Sequence, residues 1–291
     1  MAIWNLGSIN SDHFYRVDHL PEPGETVLSA GMERGLGGKG ANMSVAAARA
    51  GAHVHHIGAV GTDGQWAIDR LAEYGVDTRT IATLDTLTGH AVIALDDAGE
   101  NHIIVFPGAN QAISRDAVGL ALSDAAPGDI LLMQNETNEQ AFAAETGSRL
   151  GLKVAYAAAP FSARAVSDVL AHLDILVLNQ IEMAQLVEET GLLPGPKMGI
   201  DTVIVTKGSE GCVLYDRSNG WDAIGFDAIP VDVVDTTGAG DTFTGYFLAG
   251  IDRGMDMEDS VRMAIKASAM MVTRQGTADV IPDLKEVLDR G

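Results

Sequence analysis

Short apolar runs alternate along the chain with stretches where apolar residues recur every three or four positions. The runs predict strands at Ala2–Ile9, His53–Val60, Ile130–Gln134, Lys153–Ala157, Ile175–Leu178, Thr202–Thr206 and Gly211–Tyr215. The periodic stretches predict helices at Ala41–Ala50, Gly64–Glu73, Glu139–Leu150, Ala163–Leu170, Ile181–Glu189, Asp241–Ala249, Asp259–Thr273 and Asp283–Leu288. Strand and helix in alternation predict an α/β fold with a mainly parallel sheet covered on both faces.

Two stretches break the rhythm. Phe14–Leu36 is rich in Gly, Pro and charge, with few helix signals. Gly89–Phe106 reads as strands His90–Leu95 and Asn101–Phe106 around the turn Asp-Asp-Ala-Gly-Glu. Together, over about 11–36 and 89–107, they predict a small antiparallel sheet beside the core. Such a sheet serves either as a lid that excludes water from a site or as ordinary surface hairpins. Leu192–Gly199 reads as a Pro/Gly loop. A length of 291 residues suits one domain, 1–291, with a substantial core.

The sharpest chemical feature is VVDTTGAGDTFTGYFLAG, Val233–Gly250. An apolar strand end enters a Gly-rich turn that opens a helix. Bare amides at Gly238, Ala239 and Gly240 would face an anion there, helped by the helix dipole. Asp241 falls in the first helical turn, where a carboxylate can take a proton from an attacking hydroxyl. Phosphoryl transfer needs that pairing of oriented nucleophile and stabilised charge. The plainer reading is a helix cap beside a Gly turn.

The second feature is GLGGKGANMSVAAARAG, Gly35–Gly51. Gly37 and Gly38 permit close backbone approach, Lys39 offers a cation, and Asn42 offers an amide on the first helical turn. Gly35, Gly37 and Gly40 spell a dinucleotide-binding G-x-G-x-x-G, but GMERGL is a poor preceding strand and Ile57–Val60 supplies no acid. The P-loop pattern also fails, since Gly40 follows Lys39 instead of Ser or Thr. Third, Asn10 and Asp12 follow the first strand, where an amide and a carboxylate can grip neighbouring hydroxyls; turn formation explains them equally well.

A formal charge of −21 disfavours a nucleic-acid partner. The sole cysteine, Cys212, rules out an intramolecular disulfide and reads as buried packing. His53, His55 and His56 lie in a predicted strand with no zinc-binding pattern, and Met270–Met271 read as helix core. The first residues, MAIWNLGSINSDHF, do not look like a signal peptide, and no apolar stretch reaches membrane-spanning length. A cytoplasmic location and no membrane partner are the resulting expectations.

Taken together, the motifs resemble the ribokinase-like (PfkB) carbohydrate kinase family. GSINSD, PEPGET, GGKGANMSVAAARAG, VGTDGQW, YGVDT, GENHIIVFPGAN, LNQIE, TKGSEG and DTTGAGDTF follow the family's landmarks in order over nearly the whole chain. DTTGAGDTF and GGKGAN are specific as a pair. The resemblance implies a Rossmann-like core with a β-sheet lid, and a homodimer through that lid. It implies ATP-dependent phosphorylation of a small sugar, most closely D-ribose to D-ribose 5-phosphate. Asp241 would be the base, and the amides of Gly238, Ala239 and Gly240 the anion hole. Asn10, Asp12, Gly38, Lys39, Asn42 and Glu136 would hold the sugar. Asn179, Thr206, Gly208, Gly211 and Gly240 would hold ATP, and Glu182 would hold Mg²⁺ through water. Asp235, Thr237, Arg274 and Gly276 would belong to a K⁺ site.

Three departures stand out. Ala157-Ala158-Ala159-Pro160 replaces an Asn-Pro-Ala-Pro stretch, the segment after Glu182 is short and lacks a helix common in the family before the TKGSEG strand, and Val280 stands where a Ser is common. The last bears on K⁺ dependence. Two alternatives stay open: a kinase of another sugar or a nucleoside, with Phe14 or Phe106 as an aromatic shelf, and a non-catalytic sugar-binding protein.

Overall fold

The computed structural model describes residues 1–96 and 100–289. In chain order the strands are β1 (Ile3–Leu6), β2 (Asn10–Arg16), β3 (Gly31–Gly37), β4 (Val54–Gly61), β5 (Ile81–Leu84), β6 (Gly89–Leu95), β7 (Asn101–Phe106), β8 (Ile130–Gln134), β9 (Lys153–Ala157), β10 (Ile175–Asn179), β11 (Thr202–Thr206), β12 (Cys212–Asp216) and β13 (Ile224–Phe226). The helices are α1 (Lys39–Arg49), α2 (Gln65–Glu73), α3 (Arg115–Leu122), α4 (Gln140–Arg149), α5 (Ala163–Val169), α6 (Gln180–Thr190), α7 (Ala239–Asp252), α8 (Met257–Met271) and α9 (Leu284–Asp289).

The main sheet has the order β13-β12-β11-β10-β9-β8-β1-β4-β5. It is parallel from β5 to β11, and β12 and β13 add an antiparallel edge. β4 and β8 are buried along their whole length, as strands covered on both faces must be. Successive residues serve opposite layers. Ile3, Val54 and Ile130 face the apolar layer under α1, α7 and α8, while Trp4 and Leu131 face the layer under α3 to α6.

The α1 side of the sheet also holds a buried polar network. Asn5 Nδ2 donates to the Gly40 carbonyl and to Ser44 Oγ, both at 2.8 Å, and Gln134 Nε2 donates to Asn5 Oδ1 at 2.8 Å. His56 bridges Ser44 Oγ and the Gly7 carbonyl, and burial lowers its pKa to about 4, so it is neutral. The network locks α1 onto β1, β4 and β8. It needs Gly40, since a Cβ there would lie 2.4 Å from Gly7 Cα and 2.3 Å from Ser8 N.

A second sheet has the order β3-β2-β6-β7. It is mixed, not antiparallel as expected: β2 and β6 run parallel, with Asn10 opposite Gly89, and the outer pairs are antiparallel. The reason is topological. β2 and β6 follow directly on β1 and β5, two parallel strands of the main sheet, so both leave it in the same direction.

Other departures from the sequence reading have local causes. The first strand stops at Leu6, because Gly7–Ile9 carry the chain across to β2. β3 was hidden by its exposed, Gly-rich sequence; pairing with β2 orders it. The G-x-G-x-x-G begins inside β3, an edge strand outside the main sheet, so it lacks the preceding buried parallel strand of a dinucleotide fingerprint. α3 leaves little helical signal in the sequence because Gly119 weakens its pattern; Ser114 caps it by accepting from Ala117 N at 3.2 Å. β5 and β13 are short edge pieces. Residues 191–201 join α6 to β11 without a helix, as expected. Of the expected turn at 96–100, residues 97–99 lie outside the described residues. Cys212 is buried, and burial pushes its thiol up to about 12. Among the described residues no helix is long and apolar enough to cross a membrane.

Candidate active site

α1 and α7 pack along one another through small residues, with Gly245 against Met43, Ala46 and Ala47. This brings two motifs 199 positions apart into contact: Asn42 Nδ2 donates to Asp241 Oδ2 at 2.8 Å. Asp241 is buried in the first turn of α7, and Gly238 precedes the helix with a φ of 77°. Burial raises the Asp241 pKa, while Lys39 and the Asn42 amide pull it back. Gly240 faces open space where a side chain would point. Its amide and that of Asp241 precede the first helical hydrogen bond and have no intrahelical carbonyl to bond. The Ala239 amide is already used, donating to the Thr236 carbonyl at 3.2 Å.

Lys39 is ringed by acids. Its pKa is raised, most strongly by Asp241, with Glu136, Glu182 and Asp12 contributing. Asp12 is pushed up to about 7 by burial first, then by Glu136 and Asp241. Its carboxylate lies directly over Gly37, where a Cβ would sit 1.9 Å from Asp12 Oδ2. Asn10 and Asp12 therefore do not follow the first strand as a turn; they lie on β2, with Gly37 and Gly35 opposite them. Asn110 was not anticipated. It is buried, and its Nδ2 donates to Asn10 Oδ1 at 2.8 Å while its Oδ1 accepts from Ile9 N at 2.9 Å.

Glu136 follows β8 and reaches across to the start of α1. Its Oε2 accepts from Lys39 N at 3.0 Å and from the Ser8 hydroxyl. Ser8 Oγ in turn accepts from Gly40 N at 3.2 Å. α1 has no capping side chain of its own, so Ser8 and Glu136 satisfy its first amides. Ser8 carries no motif signal of its own, and this role was unreadable from sequence. One acceptor at the site is unmatched: Asn42 Oδ1 is buried without a hydrogen-bond partner.

Thr206, Gly208, Gly211, Ala239 and Gly240 line one cleft of about 600 Å³. Its wall is apolar, with Ile229, Val231, Phe243, Ile265 and Val272. The wall comes from loops and helices far apart in sequence, so no motif announced it. The cleft thus runs from the β11 turn to the Gly turn ahead of Asp241.

Asn179 and Glu182 form a capping box on α6. Asn179 Oδ1 accepts from the amides of Ile181 and Glu182, both at 2.9 Å, and Glu182 Oε2 accepts from Asn179 N at 2.7 Å. Burial raises the Glu182 pKa, and Lys39 opposes this, so the box faces the acid–lysine cluster. Asp235 ties two loops together: Oδ1 accepts from Thr237 N at 2.8 Å, and Oδ2 from Gly276 N at 3.2 Å. The Arg274 guanidinium points elsewhere, pairing with Glu286 at 2.7 Å and donating to the Val280 carbonyl at 3.1 Å. Its side chain is therefore no part of a cation site.

The model of the pfkB family of carbohydrate kinases matches residues 3–284. The ribokinase of Haemophilus influenzae is 34% identical over 98% of this chain and 96% of its own. That of Lactococcus lactis is 33% identical over 97% and 94%. Among solved structures, the ribokinase of Thermotoga maritima superposes with a TM-score of 0.89 at 30% identity, covering 99% of this chain and 98% of its own. The ribokinase of Arabidopsis thaliana, complexed with ribose and ATP, has a TM-score of 0.86 at 29% identity, covering 99% and 98%. On these matches the chain belongs to the pfkB family of carbohydrate kinases.

Proposed function

We propose that this chain phosphorylates D-ribose at its primary hydroxyl with ATP, giving D-ribose 5-phosphate and ADP. The observation that carries this is the Asn42–Asp241 hydrogen bond, which puts a buried carboxylate where the sugar-side residues meet the apolar cleft. ATP fits that cleft with its base against Ile229, Val231 and Val272 and its phosphates at Gly240. Ribose fits between β2 and α1. Asp12 would accept from its hydroxyls, and the unmatched Asn42 Oδ1 would accept from another.

Asp241 takes the proton of the primary hydroxyl as that oxygen attacks the γ-phosphorus. The new O–P bond forms while the bond to the β–γ bridging oxygen breaks, and ADP leaves. The amides of Gly238 and Gly240 hold the transferred phosphoryl oxygens. Lys39 keeps the surrounding carboxylates from repelling the phosphates.

The donors present suit both expected ions, because they are hard oxygens. Glu182 would hold Mg²⁺ through water with the oxygen left outside its cap, and Mg²⁺ would supply neutralisation of the phosphates. K⁺ would be held by Asp235 and by backbone carbonyls of its own loop and the Arg274–Gly276 loop, and would add positive charge near the Gly turn.

The test is an ADP-release assay over ribose, 2-deoxyribose, other pentoses and nucleosides, in K⁺ and in Na⁺. Ribose should give the highest kcat/KM, with higher turnover in K⁺. A nucleoside that outperforms ribose would overturn the substrate.

The four-stranded sheet is read as the lid over the sugar, and its outer strand as a dimer contact. Ile103, Ile104 and Val105 of β7 are all more than half exposed, on an unpaired edge that needs cover. A second copy provides that cover. Ile104→Asp should shift the protein from dimer to monomer in sedimentation; an unchanged mass would place the contact elsewhere.

A further inference from the structure

At the opposite end of β4 from the candidate active site lies a second group of chemical side chains. His53 and His55 are two residues apart in extended chain, so their rings share one side, with centroids 4.5 Å apart. Asp77 joins them from the turn after α2. Backbone bonds hold it there: Asp77 N donates to the Val54 carbonyl at 2.8 Å, and His56 N to the Asp77 carbonyl at 3.0 Å. One ligand atom from each of the three side chains lies within 4.8 Å of the others.

We propose that His53, His55 and Asp77 form a binding site for a divalent transition-metal ion of the Zn²⁺ class. Two imidazoles and one carboxylate are a donor set that suits such an ion, with solvent completing its coordination. Two of the three ligands are already oriented. His55 stacks on Trp4 at 3.9 Å with an interplanar angle of 7°, and its Nδ1 lies 3.2 Å from Asp77 Oδ2. His53 is exposed and free to swing inward over the short distance that metal bonding requires. Asp252 stands nearby, close enough for His53 to influence it, with its Oδ1 paired to the Met1 ammonium at 4.0 Å. The competitor is Arg79, which binds Asp77 now; its side chain is 81% exposed and yields readily to solvent. A bound ion would clasp the start of β4 to the turn after α2.

The site is separate from the ATP cleft, whose lining includes none of His53, His55 and Asp77. The test is a Zn²⁺ titration of the full chain by calorimetry, with crystals soaked in Zn²⁺ and measured at the zinc edge. Wild type should bind one ion here, with the anomalous peak about 2.0–2.2 Å from the three ligands. His53→Ala should weaken that binding at least tenfold and abolish the Zn²⁺-induced rise in melting temperature, with kcat and KM unchanged. The proposal is overturned by the absence of Zn²⁺ binding, by a peak only at the Asp241 or Glu182 carboxylates, or by equal binding in His53→Ala.

Discussion

Asp241→Asn is expected to lower kcat by about 10³- to 10⁴-fold, the upper range for loss of a general base. Asn has the shape of Asp but cannot take the hydroxyl proton. It keeps a carbonyl oxygen for the Asn42 Nδ2 donor, so the contact between α1 and α7 survives. The side chain is buried, and burial already disfavours its charge, so its neutralisation should not unfold the protein. Ribose binding, measured by calorimetry without ATP, should persist. Turnover within tenfold of wild type would remove Asp241 from the mechanism and leave it as a helix-start carboxylate.

Asp12→Asn should do two opposite things. In the folded protein without sugar, Asp12 titrates at about 7, chiefly through burial and then through Glu136 and Asp241. In the unfolded chain it titrates near 3.9. Between those values the folded state holds the extra proton, so stability falls as pH rises through the window and is lowest above 7. Asp12→Asn abolishes this loss. The variant should be more stable at pH 8 by an amount on the order of 2–4 kcal/mol, and no more stable at pH 3.5. Ribose should bind it about 100-fold more weakly, since charge-assisted hydrogen bonds to two hydroxyls are weakened. Wild-type affinity for ribose should rise as pH passes through 7, and the variant's should not. Melting curves and calorimetry at both pH values check all three. Equal stability at pH 8 would mean that the site does not strain this carboxylate.

Such a trade is expected of a site that gathers acids. Asp12, Glu136 and Asp241 repel one another around one lysine, and that repulsion lowers the stability of the free protein. Sugar hydroxyls would relieve it by donating to the same groups.

The sequence alone determined the alternation of strands and helices, because strands buried on both faces and one-sided helices leave different periods. It also located the Gly turn before Asp241 and the start of α1, because backbone exposure at a helix N-terminus calls for small residues there. The capping box of Asn179 and Glu182 is likewise local, being a matter of four consecutive residues. What the tertiary structure decided are the relations between segments. The parallel pairing of β2 with β6 depends on where two other strands end. Ser8 and Asn110 acquire their roles only through partners 128 and 100 positions away. The elevated Asp12 pKa exists only because folding removes water and brings Glu136 and Asp241 close to it. Local pattern encodes backbone geometry within a few residues; desolvation and charge clustering arise only when distant segments close on one another.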